Sequence, residues 1–477
     1  MTLRLELPRR SASQAAFPVA LGRPAAVAVA PPILHHKGRA ARAMVPVYDF
    51  TTQQDDIWKK LLHQPTEDAR TQQAVREIID DVRRRGDEAL LEFTSRFDDV
   101  ELTAAGLRLA PEVLEDAWNS LPSDMRAALQ TAADRIRAFH ERQRRESWEM
   151  EDGAGFRLAQ RWMPLATAGL YIPGGAAAYP STVLMNAIPA QVAGVDRIVA
   201  VTPPQRTGKM NPATLGALHL LGVEEVYQIG GAQAVAALAF GTQSLPRVDI
   251  VVGPGNKYVA EAKRLLYGTI RIDMVAGPTE VLILADDSVP AEWIAADMIA
   301  QAEHDPDAQS VVVLIGRDDT EALAAELEQQ AAQSPRQAVL RTSLENNGAV
   351  IVGANIEQAL DITARKAPEH LELLLKDARD LVPRIRNAGS IFVGPHSVEA
   401  IGDYIAGPNH VLPTGGTARF FSPLSVQDFY KMTQVIECGP QGLAAMGPAA
   451  ARLADAEGLD GHAQSIRRRL AALEVAT

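Results

Sequence analysis

From Leu165 onward the chain alternates short apolar runs with glycine turns and helical stretches, and this alternation constrains its fold more than any other feature. Gly169–Ile172 reads as a strand that ends in Pro173-Gly174-Gly175. Strand-like runs follow at 197–202, 225–229 and 248–252, separated by helical stretches such as 180–193 and 232–240. A second set begins at 281–285, passes through a helix at about 290–303, and continues at 310–315, 349–352 and 390–393. Strands spaced by helices in this way pair in parallel, because a parallel connection needs a crossover of a dozen or more residues. The expected fold class is therefore α/β, with two Rossmann-like but incomplete α/β domains. The apolar spacing from Tyr48 to Leu121 reads as helical, and Ser123 reads as the N-cap of a helix running to about Arg145. Ala, Leu and Arg recur at helical spacing from Gly442 to Leu473.

Composition narrows the function classes. The 477 residues carry a formal net charge of −12, which argues against a clustered basic face for nucleic acid. The single cysteine, Cys438, excludes an internal disulfide and any cysteine-built zinc or iron–sulfur site. The acid-poor stretch 1–44, with Glu6 against Arg4, Arg9, Arg10, Arg23, Lys37, Arg39 and Arg42, differs from the rest. It reads as a dispensable leader, with an organelle address as the other reading.

Three turns sit where a strand feeds a helix: 173–175, 230–233 and 253–256. Such carboxyl edges bind ligands in open α/β sheets, and glycine lets a backbone approach a phosphate. No Gly-x-Gly-x-x-Gly fingerprint occurs in them, so ordinary turn chemistry remains open. Gln301 and His304 lie three apart near a helix end and share a face; they could share one ion, or His304 could simply complement the helix end. Glu369-His370 sets a carboxylate beside an imidazole whose ordinary pKa suits a base near neutrality, against a solvated Glu and a capping His. Asp403 and His410 fall in a glycine- and proline-punctuated loop, as a ligand and a substrate contact or as turn residues. Nothing local marks Glu457 or His462. From these residues alone the chain reads as an α/β enzyme, with a metal as an open option.

Taken in order, the segments resemble the histidinol dehydrogenase family. The matching text includes Gly-Leu-Tyr-Ile-Pro-Gly-Gly (169–175), Tyr-Pro-Ser-Thr-Val-Leu-Met-Asn-Ala (179–187), Gly-Gly-Ala-Gln-Ala (230–234) and Gly-Pro-Gly-Asn (253–256). It continues with Ile-Asp-Met-Val-Ala-Gly-Pro-Thr-Glu-Val (272–281), Gln-Ala-Glu-His-Asp (301–305), Ala-Pro-Glu-His-Leu (367–371), Gly-Asp-Tyr (402–404), Gly-Pro-Asn-His-Val-Leu-Pro-Thr (407–414) and Ser-Pro-Leu-Ser-Val-Gln-Asp-Phe (422–429). The resemblance runs from about 48 to 472.

The resemblance implies oxidation of L-histidinol through L-histidinaldehyde to L-histidine with two NAD⁺, by a zinc-dependent cytoplasmic homodimer. It assigns zinc to Gln301, His304, Asp403 and His462, the last reaching across from a partner subunit. It assigns acid–base chemistry to Glu369 and His370. Substrate contacts fall to Thr279, Glu399, His410 and Glu457, joined by His370 and the metal ligands; NAD⁺ contacts fall to Tyr171, Gln233 and Asn256. Threonine at 279 replaces a common serine and keeps the hydroxyl. The implied organisation is a leader (1–44), a helical segment (45–70), a larger α/β domain with the zinc and catalytic residues (71–170 and 280–424), an NAD-binding α/β domain (171–279), and a helical tail (425–477) serving the partner's site. Rival readings are a dehydrogenase of another polar alcohol such as a sulfonated diol, a zinc hydrolase, and a non-enzymatic relative. Retention of Glu399, His410, Glu457 and His462 weighs against the first, turnover without nicotinamide would mark the second, and loss of a ligand, absent here, would mark the third; Cys438 lies outside every matching segment, which disfavours a covalent thiohemiacetal.

Overall fold

A computed structural model describes residues 44–62, 68–174, 179–206 and 210–475. The leader up to residue 43, Gly175 of the first glycine turn and residues 176–178 lie outside the described residues.

Two parallel sheets form the frame. The first has six strands, in the order Val47–Asp49, Ala349–Val352, Gln309–Leu314, Glu280–Ala285, His370–Leu374 and Ser390–Val393. Successive residues of a strand face opposite ways. Val281 and Ile283 accordingly pack against Ile294, Met298, Leu323 and Leu340 on one side. Leu282 and Leu284 pack against Ile57, Ala359 and Ile362 on the other. Burial on both faces explains why these strands read as unbroken apolar runs. The second sheet has five strands, in the order Glu225–Tyr227, Arg197–Val201, Thr167–Tyr171, Ile250–Val252 and Arg271–Ile272. Chain order reverses between Thr167–Tyr171 and Ile250–Val252, and a crevice opens at the carboxyl ends of strands around such a point.

Several expectations need correction. The segment 71–170, expected with the larger domain, does not join the six-stranded sheet: its helices pack on the five-stranded sheet, and Thr167–Tyr171 is a strand of that sheet. Helices Ala69–Arg85 and Asp87–Asp98 bury Val75, Ile79, Leu90 and Phe93 against one face; helices Pro111–Ser120 and Ser123–Glu141 bury Leu114, Leu129 and Ile136 against the other. Ser123 is the first helical residue rather than the cap; the cap position is Pro122. The segment 45–70 is not only helical, because Val47–Asp49 is the edge strand of the first sheet. The tail is likewise mixed. Strand Tyr430–Cys438 pairs antiparallel with Phe156–Pro164, which pairs with Trp148–Glu151 in a third, small sheet. Only then do helices Pro440–Ala456 and Asp460–Val475 form a hairpin, sealed by Ala451, Ala454 and Ala463. Among the described residues no helix is long and apolar enough to cross a membrane.

Candidate active site

The glycine turns build one wall. Tyr171 ends its strand, and its hydroxyl accepts the Gly231 N–H at 3.0 Å, tying two turns together. Burial pushes the Tyr171 phenol up to about 12, so it stays neutral at working pH. Gly253 holds φ +113°. A Cβ there would drive into the Tyr171 carbonyl oxygen, so only glycine lets these strand ends approach. Asn256 caps helix Lys257–Leu266: its Oδ1 accepts from the N–H groups of Tyr258 at 3.0 Å and Val259 at 3.2 Å. That leaves the Asn256 amide N–H₂ for a ligand. Gln233 is 1% exposed, and its Oε1 has no hydrogen-bond partner. All three line a cavity of about 1260 Å³, closed on the far side by Phe93, Phe97 and Asp98 of the helix Asp87–Asp98. The volume and the unspent polar groups suit an extended dinucleotide.

The second group of residues lies on the six-stranded sheet, at the amino ends of its strands. Thr279 and Glu280 open strand Glu280–Ala285, while Glu369 and His370 open strand His370–Leu374 beside it. The Glu369-His370 pair therefore sits on a strand end rather than a helix. Helix Ala291–Ala302 ends at the same edge and delivers Gln301 in its last turn and His304 just beyond. Asp403, expected in a loop, lies in the short helix Glu399–Tyr404.

Glu369 Oε2 accepts from Thr279 Oγ1 at 2.6 Å and from the Glu280 N–H at 2.9 Å. Both bonds favour the carboxylate, but burial outweighs them and holds Glu369 well above the usual carboxylate range. Gln301 Nε2 donates to Thr279 Oγ1 at 2.9 Å. Its Oε1 then faces His370 Nδ1 at 3.1 Å. The reversed amide would donate to Glu399 and His370 instead. It would also put the His370 proton on Nε2, which is buried with no acceptor, so the first orientation is the consistent one. In it His370 donates from Nδ1, and Nε2, buried and without a partner, presents a bare lone pair. Burial, with His304 and His410 nearby, pulls His370 down to about 3, so the imidazole is neutral throughout the physiological range.

Glu399 Oε1 lies 3.3 Å from His370 Nδ1. His304, Glu399 and Asp403 each place one donor atom within 4.8 Å of the others. Burial holds Asp403 up at about 6, opposed by His304, and holds Glu399 well up with Asp403, Glu372 and Glu369 adding to it. Crowded, desolvated carboxyls beside an exposed imidazole are what a cation relieves. Imidazole nitrogen with carboxylate and amide oxygen suits zinc or another borderline divalent ion. His410 joins this group: its Nδ1 meets the Asp403 carbonyl at 2.9 Å, its Nε2 lies 3.4 Å from Thr182 Oγ1, and burial pulls it down to about 4.

Glu457 and His462 are not in the group. Glu457 follows helix Pro440–Ala456, His462 lies in the first turn of the last helix, and both are exposed. Sequence reasoning overlooked two buried ion pairs that hold this scaffold. Lys366 pairs with Glu280 behind Glu369; Lys263 pairs with Asp273, whose Oδ2 accepts the Gly253 N–H at 2.8 Å, while Lys263 Nζ donates to the Gly253 carbonyl at 3.0 Å. Both lysines sit beside arginines in charged helical stretches, so local sequence carried no signal that marked them as buried.

A sequence profile of the histidinol dehydrogenase family matches residues 62–470. The chain belongs to that family. Histidinol dehydrogenase of Methylococcus capsulatus is 50% identical over 423 residues, 88% of this chain and 96% of that protein. The Aromatoleum aromaticum enzyme is 52% identical over 404 residues, 84% of this chain and 92% of the relative. The crystal structure of histidinol dehydrogenase from Elizabethkingia anophelis superimposes with a TM-score of 0.85 at 34% identity, covering 91% of this chain and all of that one. Membership of the histidinol dehydrogenase family makes this chain an oxidoreductase of histidine biosynthesis.

Proposed function

We propose that this chain oxidises L-histidinol to L-histidine through the aldehyde, using two NAD⁺ and one zinc ion per subunit. The observation that carries the reading is the junction at the amino edge of the six-stranded sheet. There two bases, Glu369 and His370, stand next to a cation-ready cluster and are linked by a chain of hydrogen bonds, Glu369 to Thr279, Thr279 to Gln301 and Gln301 to His370. Zinc would be held by Gln301 Oε1, His304 and Asp403; it would supply a fixed cationic anchor for the amino alcohol, and NAD⁺ the hydride acceptor.

His370 Nε2 takes the alcohol proton. Its neutrality leaves the lone pair available, and Nδ1–H on Gln301 fixes the tautomer. Glu369 takes a proton from the water that adds to the aldehyde, His370 gives the proton gained from the alcohol to the aldehyde oxygen, and His370, neutral again, then deprotonates the hydrate as the second hydride leaves for NAD⁺. Thr279 and the Glu280 N–H hold the reactive carboxyl in place, while Glu399 and His410 orient the amine and imidazole of the substrate. Tyr171, Gln233 and Asn256 hold NAD⁺ over the glycine turns, which assigns the five-stranded sheet and its helices to cofactor binding.

His462 and Glu457 complete the site of a second subunit. Three donors from one chain leave a tetrahedral ion short of a ligand, and the hairpin carrying His462 is exposed. Met446 and Leu453 on that hairpin, with Met432 and Ile436 on the strand before it, present apolar surface to solvent, which a homodimer would cover. The test is NADH release from purified protein and L-histidinol, with and without a zinc chelator. Two NADH per histidinol are expected, lost on chelation and restored by zinc. A folded, zinc-loaded protein that releases no NADH would overturn the substrate assignment.

A further inference from the structure

Glu372 is 0% exposed, in the middle of strand His370–Leu374. It shares a face with His370 and Leu374, and around it that face packs on Val281, Ile283, Ile294 and Met298. A carboxyl belongs there only if its oxygens are used, because a buried polar group without partners costs free energy. One oxygen is used: Oε1 accepts the Glu399 N–H at 2.9 Å. Oε2 has no hydrogen-bond partner; the acidic group that acts on it is the Asp297 carboxyl on helix Ala291–Ala302. Two neighbouring desolvated carboxyls are reconciled by a proton between them. Burial supports this, holding Asp297 at about 6 and Glu372 well above the carboxylate range.

The Glu399 N–H is the first amide of helix Glu399–Tyr404 and has no intrahelical partner. The residue before it, Val398, offers no side-chain cap. Glu372 does from a neighbouring strand what a capping side chain does locally. The helix it caps carries Glu399, which meets His370, and Asp403 of the cation cluster. Gly402 sets the same helix close against Phe392 of the adjoining strand.

We infer that Glu372 is a positioning residue: its buried Oε1, backed by Asp297, fixes the first turn of helix Glu399–Tyr404 and thereby aims Glu399 and Asp403 at the metal and the substrate. The inference rests on the proposed roles of those two residues. It is an acceptor role, separable from charge. Glu372→Gln keeps a carbonyl for the Glu399 N–H and offers Asp297 an amide N–H in place of the proton. Glu372→Asp keeps the carboxyl but withdraws it by one methylene, and Glu372→Met removes it.

Zinc affinity, KM for L-histidinol, KM for NAD⁺ and amide exchange of residues 399–405 are to be measured on each variant of the full chain. Glu372→Gln should match the parent in all four. Glu372→Asp and Glu372→Met should bind zinc about 10–100-fold more weakly, raise KM for histidinol, leave KM for NAD⁺ unchanged, and exchange faster at 399–405 even before zinc is added. Equal damage from Gln and Met, or parental zinc binding and exchange in Met, would overturn the inference. If Met does not fold, the Gln and Asp pair decides it by the same criteria. If the parent itself binds no zinc, the metal reading fails, and amide exchange alone still decides whether Glu372 holds the helix.

Discussion

The Thr279 hydroxyl donates to Glu369 Oε2 at 2.6 Å and accepts from Gln301 at 2.9 Å, so one small side chain links the Glu369 carboxyl to Gln301 and, through it, to His370. Thr279→Ser keeps the hydroxyl and should leave turnover unchanged. Thr279→Val keeps the shape and loses the donor. A hydrogen bond to a charged group contributes about 1.5–3 kcal/mol, so aldehyde oxidation should slow roughly 10–100-fold. Single-turnover kinetics from L-histidinaldehyde would measure this.

The two bases should separate the two oxidations. Glu369→Gln should pass the first hydride and stall at the aldehyde, giving one NADH per site in a burst assay. His370→Asn should slow both steps by about 10²–10⁴-fold, the range of lost acid–base catalysis. Normal histidine formation by Glu369→Gln would remove Glu369 from its role.

On the cofactor side, Tyr171→Phe deletes the hydroxyl that accepts the Gly231 N–H and leaves a buried amide unpaired, a cost of about 1–3 kcal/mol. KM for NAD⁺ should rise while KM for histidinol stays, as steady-state kinetics with each substrate varied would show.

The cavity also has a pH signature. Burial lifts Asp98 to about 6, with Arg206 opposing. Its folded pKa lies above its unfolded one, so its stabilising contribution is present below about pH 4 and is lost as pH rises through about 6. Asp98→Asn should therefore gain stability over the parent at pH 8, and the gain should shrink as the pH falls towards 4. Urea midpoints of both proteins at pH 8 and pH 4.5 test the sign.

If His462 serves the partner's metal, mixing the individually inactive His370→Asn and His462→Ala proteins should restore activity in hybrid dimers. A mixture that stays dead after subunit exchange would place each site within one chain.

Much of the frame was legible because both sheets are buried on both faces. Helix Pro180–Ala193 and strands Ala349–Val352 and Ser390–Val393 fall where the apolar runs end. Elements in another environment were not legible. Strand Tyr430–Cys438 is exposed beyond its first residue, so it lacks the alternation that marks a half-buried strand. Val47–Asp49 is too short to show a period. The grouping of Gln301, His304, Glu369, His370 and Asp403 followed from their motifs in order, since nothing in local spacing brings residue 301 to residue 403. What joins them is register: His370 pairs with Val281, and that single pairing puts Glu369 beside Thr279. Glu372 went unread because a lone acid in Leu371-Glu372-Leu373-Leu374 carries no mark of which amide it serves.

The segment 273–279 leaves the last strand of one sheet and enters the centre of the other. At its start Asp273 grips the Gly253 turn; at its end Thr279 grips Glu369; between them the Gly277 N–H donates to Thr414 Oγ1 at 2.5 Å. Fully extended, such a stretch reaches about 20 Å. Pinned at both ends and in the middle, it is a stay rather than a hinge. The spacing between the Gly253 turn and Glu369 is thus held by a covalent stretch tied down at three points, and the two sheets keep that spacing together.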